Sequence, residues 1–152
     1  MGLFDKSTIE KEIKELPSGF LSIILDAALS ANITSIAIVG GVVRDLIKKS
    51  NNRDYEIIFN DLDLIIEGDT STYIKELQRV FGAESVKVIR FNRNYKTSEV
   101  IIDGIKVDIA SARQERYPIP GENPIVELST IKKDLIRRDF NINAMAIELK
   151  DN

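Results

Sequence analysis

A chain of 152 residues, 43% hydrophobic and 30% charged, is long enough for one domain with a substantial core. It has no cysteine and no histidine, which excludes disulfides, thiolate chemistry, a Ser-His-Asp hydrolase and the commonest zinc sites, and leaves any metal to oxygen ligands. The net charge of −3 argues against bulk binding of nucleic acid through a basic surface, so any RNA contact is expected to be local.

Ser7-Thr8-Ile9-Glu10 has the form of a capping box. Apolar Ile9 and Ile13, then Phe20, Ile23, Ile24 and Ala27, predict two helical pieces broken near Pro17-Ser18-Gly19, together an N-terminal helical arm over residues 1–34. Ser35 to Val39 reads as a first strand, Gly40-Gly41 as a sharp turn, and Val42 to Lys49 as the helix after it. Ser50 to Asp54 is polar and turn-rich. Asn60 to Ile66 is the second strand, ended by Gly68-Asp69, with Thr70 or Ser71 capping a helix to about Phe81. Val86 to Arg90 is a third strand, and the runs on either side of Asp103-Gly104 form a hairpin, because Asp-Gly readily adopts the positive φ of a tight turn. Asp108 lies between Val107 and Ile109 and so faces away from both. Pro118, Pro120, Gly121 and Pro124 mark an extended loop, Ser129 caps a helix through about Arg137, and Ala144 to Leu149 returns as a strand. Helices, strands and a hairpin without a repeat favour an α+β domain over a doubly wound sheet. No apolar stretch approaches the roughly 20 residues needed to span a bilayer, and Met1 to Lys14 lacks the layout of a secretory signal, so no membrane association and a cytoplasmic location are expected.

Two features carry chemistry. The Gly-Gly turn into a helix directs backbone N–H groups, with Arg44 beside them, toward phosphate oxygens. Asp61 and Asp63, two apart on a strand, project from one face while Leu62 and Leu64 pack on the other, so the two acids can share divalent ions, Mg²⁺ first and Mn²⁺ second. A later acid, Asp108, fits a metal ligand, a group orienting a hydroxyl, or a surface strand residue. A phosphate-binding turn followed by such acids describes nucleotidyl transfer. The chain lacks both the G-x-x-x-x-G-K-[ST] loop and G-x-G-x-x-G, which removes the main support for ATPase and dinucleotide readings. Lys132, Lys133, Arg137 and Arg138 form a basic patch that on charge alone reads as a solvated helix face.

Four segments in order, Gly40 to Asp45, Asp61 to Gly68, Asp108 to Tyr117 and Asp134 to Ala146, resemble the head domain of bacterial-type (class II) tRNA nucleotidyltransferases and poly(A) polymerases. The resemblance implies a polymerase-β-like nucleotidyltransferase fold, a mixed sheet with flanking helices, in a catalytic head over residues 35–152. It implies template-free addition of CCA or a terminal A to tRNA 3′ ends from ATP and CTP, with pyrophosphate released by a two-metal mechanism. Carried over by position, Asp61 and Asp63 are the metal pair, Asp108 the third catalytic acid, and Gly40, Gly41 and Arg44 hold the triphosphate. Arg138, Asp139 and Asn143 match the segment that recognises the ribose; on geometry alone, Asp139 and Asn143 equally suit a helix cap, and Arg137 suits an ion pair.

Two departures from the family pattern stand out. Lys48 to Phe59 stretches the link between the first two motifs and is expected to lengthen a surface loop without moving the chemistry. Family members continue into helical neck, body and tail regions, where a Glu-Asp-x-x-Arg element selects the base and the tRNA elbow binds, and residues 1–152 contain neither. The alternatives are therefore a poly(A) polymerase of the same fold and a non-catalytic nucleotide-binding module that needs a separately encoded helical body.

Overall fold

The computed structural model describes residues 11–14, 16, 19–57, 61–138 and 144–149. Within them the order is α1 (Phe20–Ser30), β1 (Ile36–Val39), α2 (Gly41–Asn51), β2 (Asp61–Ile66), α3 (Thr70–Phe81), β3 (Val86–Asn92), β4 (Thr97–Ile102), β5 (Ile105–Ser111), β6 (Arg113–Arg116), β7 (Ile125–Leu128), α4 (Ile131–Ile136) and β8 (Ala146–Glu148). This is the expected α+β class. A six-stranded sheet runs β3-β4-β5-β2-β1-β8, antiparallel except for the central β2–β5 pair, and β6 and β7 form a separate two-stranded ribbon.

Alternation within the strands decides what each face does. Leu62, Leu64 and Ile66 on β2, Val107 and Ile109 on β5 and Val100 and Ile102 on β4 turn to one face and are buried. They join Phe20 and Ile24 of α1, Val43 and Leu46 of α2, and Tyr73 and Leu77 of α3 in the main core. Ile13 and Leu16, in the segment preceding α1, belong to the same core. A smaller cluster, Ala37, Val39, Ile65, Ala112 and Ile131, lies on the opposite side where α4 covers the sheet. The rest of that face stays open, and the carboxylates emerge there. Among the described residues no helix is long and apolar enough to cross a membrane.

Several boundaries differ from the sequence reading. The cap of α3 is Asp69, whose carboxylate accepts from the Thr72 N–H at 3.0 Å; Thr70 is buried instead, its hydroxyl 2.7 Å from that of Ser111. Thr130, not Ser129, caps α4. Helix α2 begins at Gly41 and persists through Asn51, so the first part of the stretched link is helical. Strand β3 continues to Asn92 past a bulge, and the polar Arg113–Arg116 run pairs with Ile125–Leu128 on either side of the proline-rich loop. Asp103 and Gly104, with φ of 47° and 82°, make the expected hairpin turn. The Ser7–Glu10 capping box lies outside the described residues.

The fully buried Tyr73 ties α3 to α1 by donating its hydroxyl to the Ile24 carbonyl at 3.0 Å. Tyr73→Phe keeps the ring and removes this bond, while the Ile24 carbonyl keeps its place in the α1 ladder, so the change is expected to cost about 0.5–1.5 kcal/mol in urea unfolding. An unchanged midpoint would show that the bond contributes nothing net.

Candidate active site

The turn after β1 is built for close approach. All four residues of β1 are buried, and Gly40 follows with φ 78° and ψ −152°, a conformation that strongly favours glycine. A Cβ at Gly40 would collide with Oδ2 of Asp63, so the missing side chain lets the turn lie against that carboxylate. Gly41 opens α2, which has no side-chain cap, so its first N–H groups stay available at the turn. Arg44 sits on the exposed side of α2, its Nε 2.9 Å from Asp45 Oδ1. The Tyr55 hydroxyl donates to the same oxygen at 3.2 Å, and Lys48 lies 5.6 Å from the centre of the Tyr55 ring. The hydrogen bond from Arg44 holds the Asp45 carboxyl below the usual carboxylate range. The stretched link is thus more than a passive loop: it returns to brace the Arg44–Asp45 pair.

Parallel pairing of β2 with β5 sets Asp63 opposite Asp108 and Asp61 opposite Lys106. Asp63 is half-buried, and desolvation, then Asp108, then Asp61, raise its carboxyl above the ordinary value, with Lys106 and Arg138 partly offsetting them. Lys106 Nζ bridges Asp108 Oδ2 at 3.9 Å and Glu99 Oε1 at 3.7 Å. Glu99 was missed in the sequence reading. The signal was present, because a two-residue turn at Asp103-Gly104 puts Glu99 directly across from Asp108.

Val39, Asp63, Asp108, Glu99 and Arg90 consequently form one transverse row across β1, β2, β5, β4 and β3. All five line a cleft of about 340 Å³ together with Gly40 and Arg138. Asp61 stands exposed at the start of β2, outside that lining. Among the described residues no three acids converge as a ready-made cation cluster.

Arg138 reaches the cleft through a buried support. Asp134, 1% exposed, accepts from the Arg113 N–H at 2.9 Å, from Arg137 Nη2 at 3.2 Å and from Arg138 Nε at 3.1 Å. Glu67 in turn accepts from the Ile131 N–H at 2.7 Å, fixing the start of α4. Lys132 and Lys133 are exposed, but Arg137 and Arg138 are bound to Asp134, and Arg137 also to Glu115 at 3.3 Å. The solvated-face reading of the patch holds for Lys132, Lys133 and Arg137, which stays exposed while pairing with Asp134, and fails for Arg138, which the same buried acid draws in. Asp139 and Asn143 lie outside the described residues.

Residues 36–152 match the family model described as the poly A polymerase head domain. The chain belongs to that family. The chain is 43% identical over 112 residues to the A-adding tRNA nucleotidyltransferase of Aquifex aeolicus, an alignment covering 74% of this chain and 12% of that protein. Its fold resembles a CCA-adding enzyme in an apo form, with a TM-score of 0.71 and 30% identity over 95% of this chain and 32% of the other. It also resembles a tRNA nucleotidyltransferase complexed with a primer tRNA and an incoming ATP analogue, with a TM-score of 0.58 and 34% identity over 82% of this chain and 30% of the other. The head thus spans between about an eighth and a third of the length of these relatives.

The charge balance at Asp63 makes a stability prediction. Its folded-state pKa is raised, so ionisation disfavours the fold: the contribution is best at low pH and is lost as pH rises through the folded value. Asp63→Asn should therefore raise Tm at pH 7 in EDTA, with the gain shrinking as pH falls toward the ordinary carboxylate range. A gain that is constant with pH, or a loss at pH 7, would contradict this electrostatic account.

Proposed function

We propose that this chain is the catalytic head of a template-free RNA nucleotidyltransferase that adds CCA or the terminal A to tRNA 3′ ends from NTPs, releasing pyrophosphate, in the cytoplasm. The observation that carries the reading is the pairing of Asp63 with Asp108 directly beside the Gly40 turn. The names of the relatives support tRNA, rather than a messenger tail, as the acceptor.

The donor set fits Mg²⁺, or Mn²⁺ in its place. It consists of carboxylate oxygens alone, and Mg²⁺ is commonly held by one or two carboxylates with substrate phosphates completing its shell, so the absence of a three-acid cluster among the described residues is no obstacle. Asp61 and Asp63 would hold the ion, with Asp108 as a further ligand or as the group orienting the 3′-hydroxyl. When bound, the ion would supply Lewis-acid activation of that hydroxyl and neutralise charge on the phosphates. The chain's own residues do the positioning. The first N–H groups of α2 and the Arg44 guanidinium hold the triphosphate, Gly40 lets it approach Asp63, and Arg138, with Asp139 and Asn143, contacts the ribose.

The test is incorporation of each labelled NTP into tRNA lacking its 3′ CCA, by this chain alone and with the helical body of a relative added. Asp61→Ala and Asp63→Ala should each reduce incorporation to background while far-UV circular dichroism stays native. Near-normal turnover by both at saturating Mg²⁺ would sink the assignment.

Sugar recognition gives a second check. ATP should bind more tightly than dATP by about 0.5–1.5 kcal/mol, the value of one satisfied polar contact, when titrated calorimetrically in Mg²⁺. Equal affinities would remove the ribose role from the Arg138 segment.

A further inference from the structure

The bulge in β3 decides what the far end of the cleft presents. Val88 pairs with Val100 and Arg90 with Glu99, which leaves Ile89 as the extra residue. In an unbulged strand Arg90 would fall opposite Ser98, on the back of β4, where Ser98 is buried. The bulge returns Arg90 to the open face, and re-aiming one side chain is a recurrent use of this device next to active sites. Ser98 secures the arrangement by donating its hydroxyl to the Arg90 carbonyl at 2.9 Å.

Arg90 therefore closes the row of Asp63, Asp108 and Glu99 with a positive charge. Its neighbour Glu99 pairs with Lys106, and Arg90 itself makes no ion pair with any described residue. Lys87, exposed on β3 opposite Ile101, continues the positive edge on the same face. An exposed guanidinium at one end of a cleft whose other end is a phosphate-binding turn calls for a second anionic group.

We propose that Arg90 holds a backbone phosphate of the RNA strand whose 3′-hydroxyl attacks. The inference rests on the reading of the site as a nucleotidyltransferase. In-line displacement puts the attacking and leaving oxygens on opposite sides of the phosphorus. With the departing phosphates held at Gly40 and α2, on the β1 side of Asp63, the acceptor strand enters from the other side, over β5 and β4 toward β3. Three strand spacings separate β2 from β3, about 14 Å, too far for Arg90 to touch the reacting phosphorus. Arg90 thus acts on binding of the acceptor and not on the chemical step.

The test uses the 152-residue chain, a 5′-fluorescein oligoribonucleotide with a free 3′-hydroxyl, and anisotropy at several salt concentrations, with MgATP titrated in parallel by calorimetry. Arg90→Ala should weaken oligoribonucleotide binding about 3–10-fold and flatten the slope of log K against log salt by about 0.7, one single-strand phosphate contact. Arg90→Lys should retain most of the affinity, and MgATP affinity should be unchanged in both variants. Unaltered RNA affinity and slope would overturn the proposal, as would a matching loss of MgATP, which would put Arg90 on the nucleotide. Wild-type chain that binds MgATP but no oligoribonucleotide overturns this inference alone; binding of neither overturns the proposed function with it.

Discussion

The parallel pairing of β2 with β5 is the constraint on which the site depends. Every other pairing in the main sheet is antiparallel, and this one joins strands separated in sequence by α3 and the β3–β4 pair. A slip of one residue would turn Leu62 and Leu64 toward solvent and drive Asp61 and Asp63 into the core. The register is therefore enforced by apolar burial on the back face, where Leu62, Leu64, Val107 and Ile109 are each 1% exposed or less. That enforcement sets Asp63 beside Asp108 on the front, although the two acids repel. The core thus imposes the unfavourable proximity that the proposed chemistry uses.

Lys106 and Arg138 partly offset this repulsion. Lys106 sits between Asp108 and Glu99 at 3.9 and 3.7 Å as a compact, partly exposed charge that a stronger cation can displace. The Arg44–Asp45 pair is exposed and screened by solvent, so the brace from Tyr55 matters for where the guanidinium lies more than for holding the fold.

Much of the fold was legible because its signals are local. The Asp103-Gly104 turn, the apolar run before Gly40 and the alternation around Asp61 and Asp63 each name an element without reference to the rest of the chain. What escaped was set by partners distant in sequence. Arg113–Arg116 carries no apolar alternation and becomes a strand by pairing across the proline-rich loop with β7 and by the ion pairs of Arg113 with Glu115. Glu99 is readable from hairpin register, although it falls outside any motif. Arg90 was not readable: its face depends on a bulge, and one inserted residue reverses every side chain beyond it. For the basic patch, charge alone suggested a solvated surface, and the buried Asp134 that draws Arg138 inward differs in no local way from an exposed aspartate.

Asp134 also shows how a small layer of structure serves the cleft without touching its chemistry. A buried carboxylate shared by two arginines is poor evidence for stability, since desolvating three charges offsets much of their attraction. Its value lies in direction. The backbone N–H of Arg113 anchors the carboxylate, Glu67 at the end of β2 anchors the helix that carries it, and Arg138 inherits a fixed origin four residues on. A guanidinium reaching the cleft from a free loop would lose side-chain entropy on meeting a ligand, whereas one already held at its base loses less. The ribbon of β6 and β7 and the short α4, which add little to the main core, are thereby explained as the mount for one arginine.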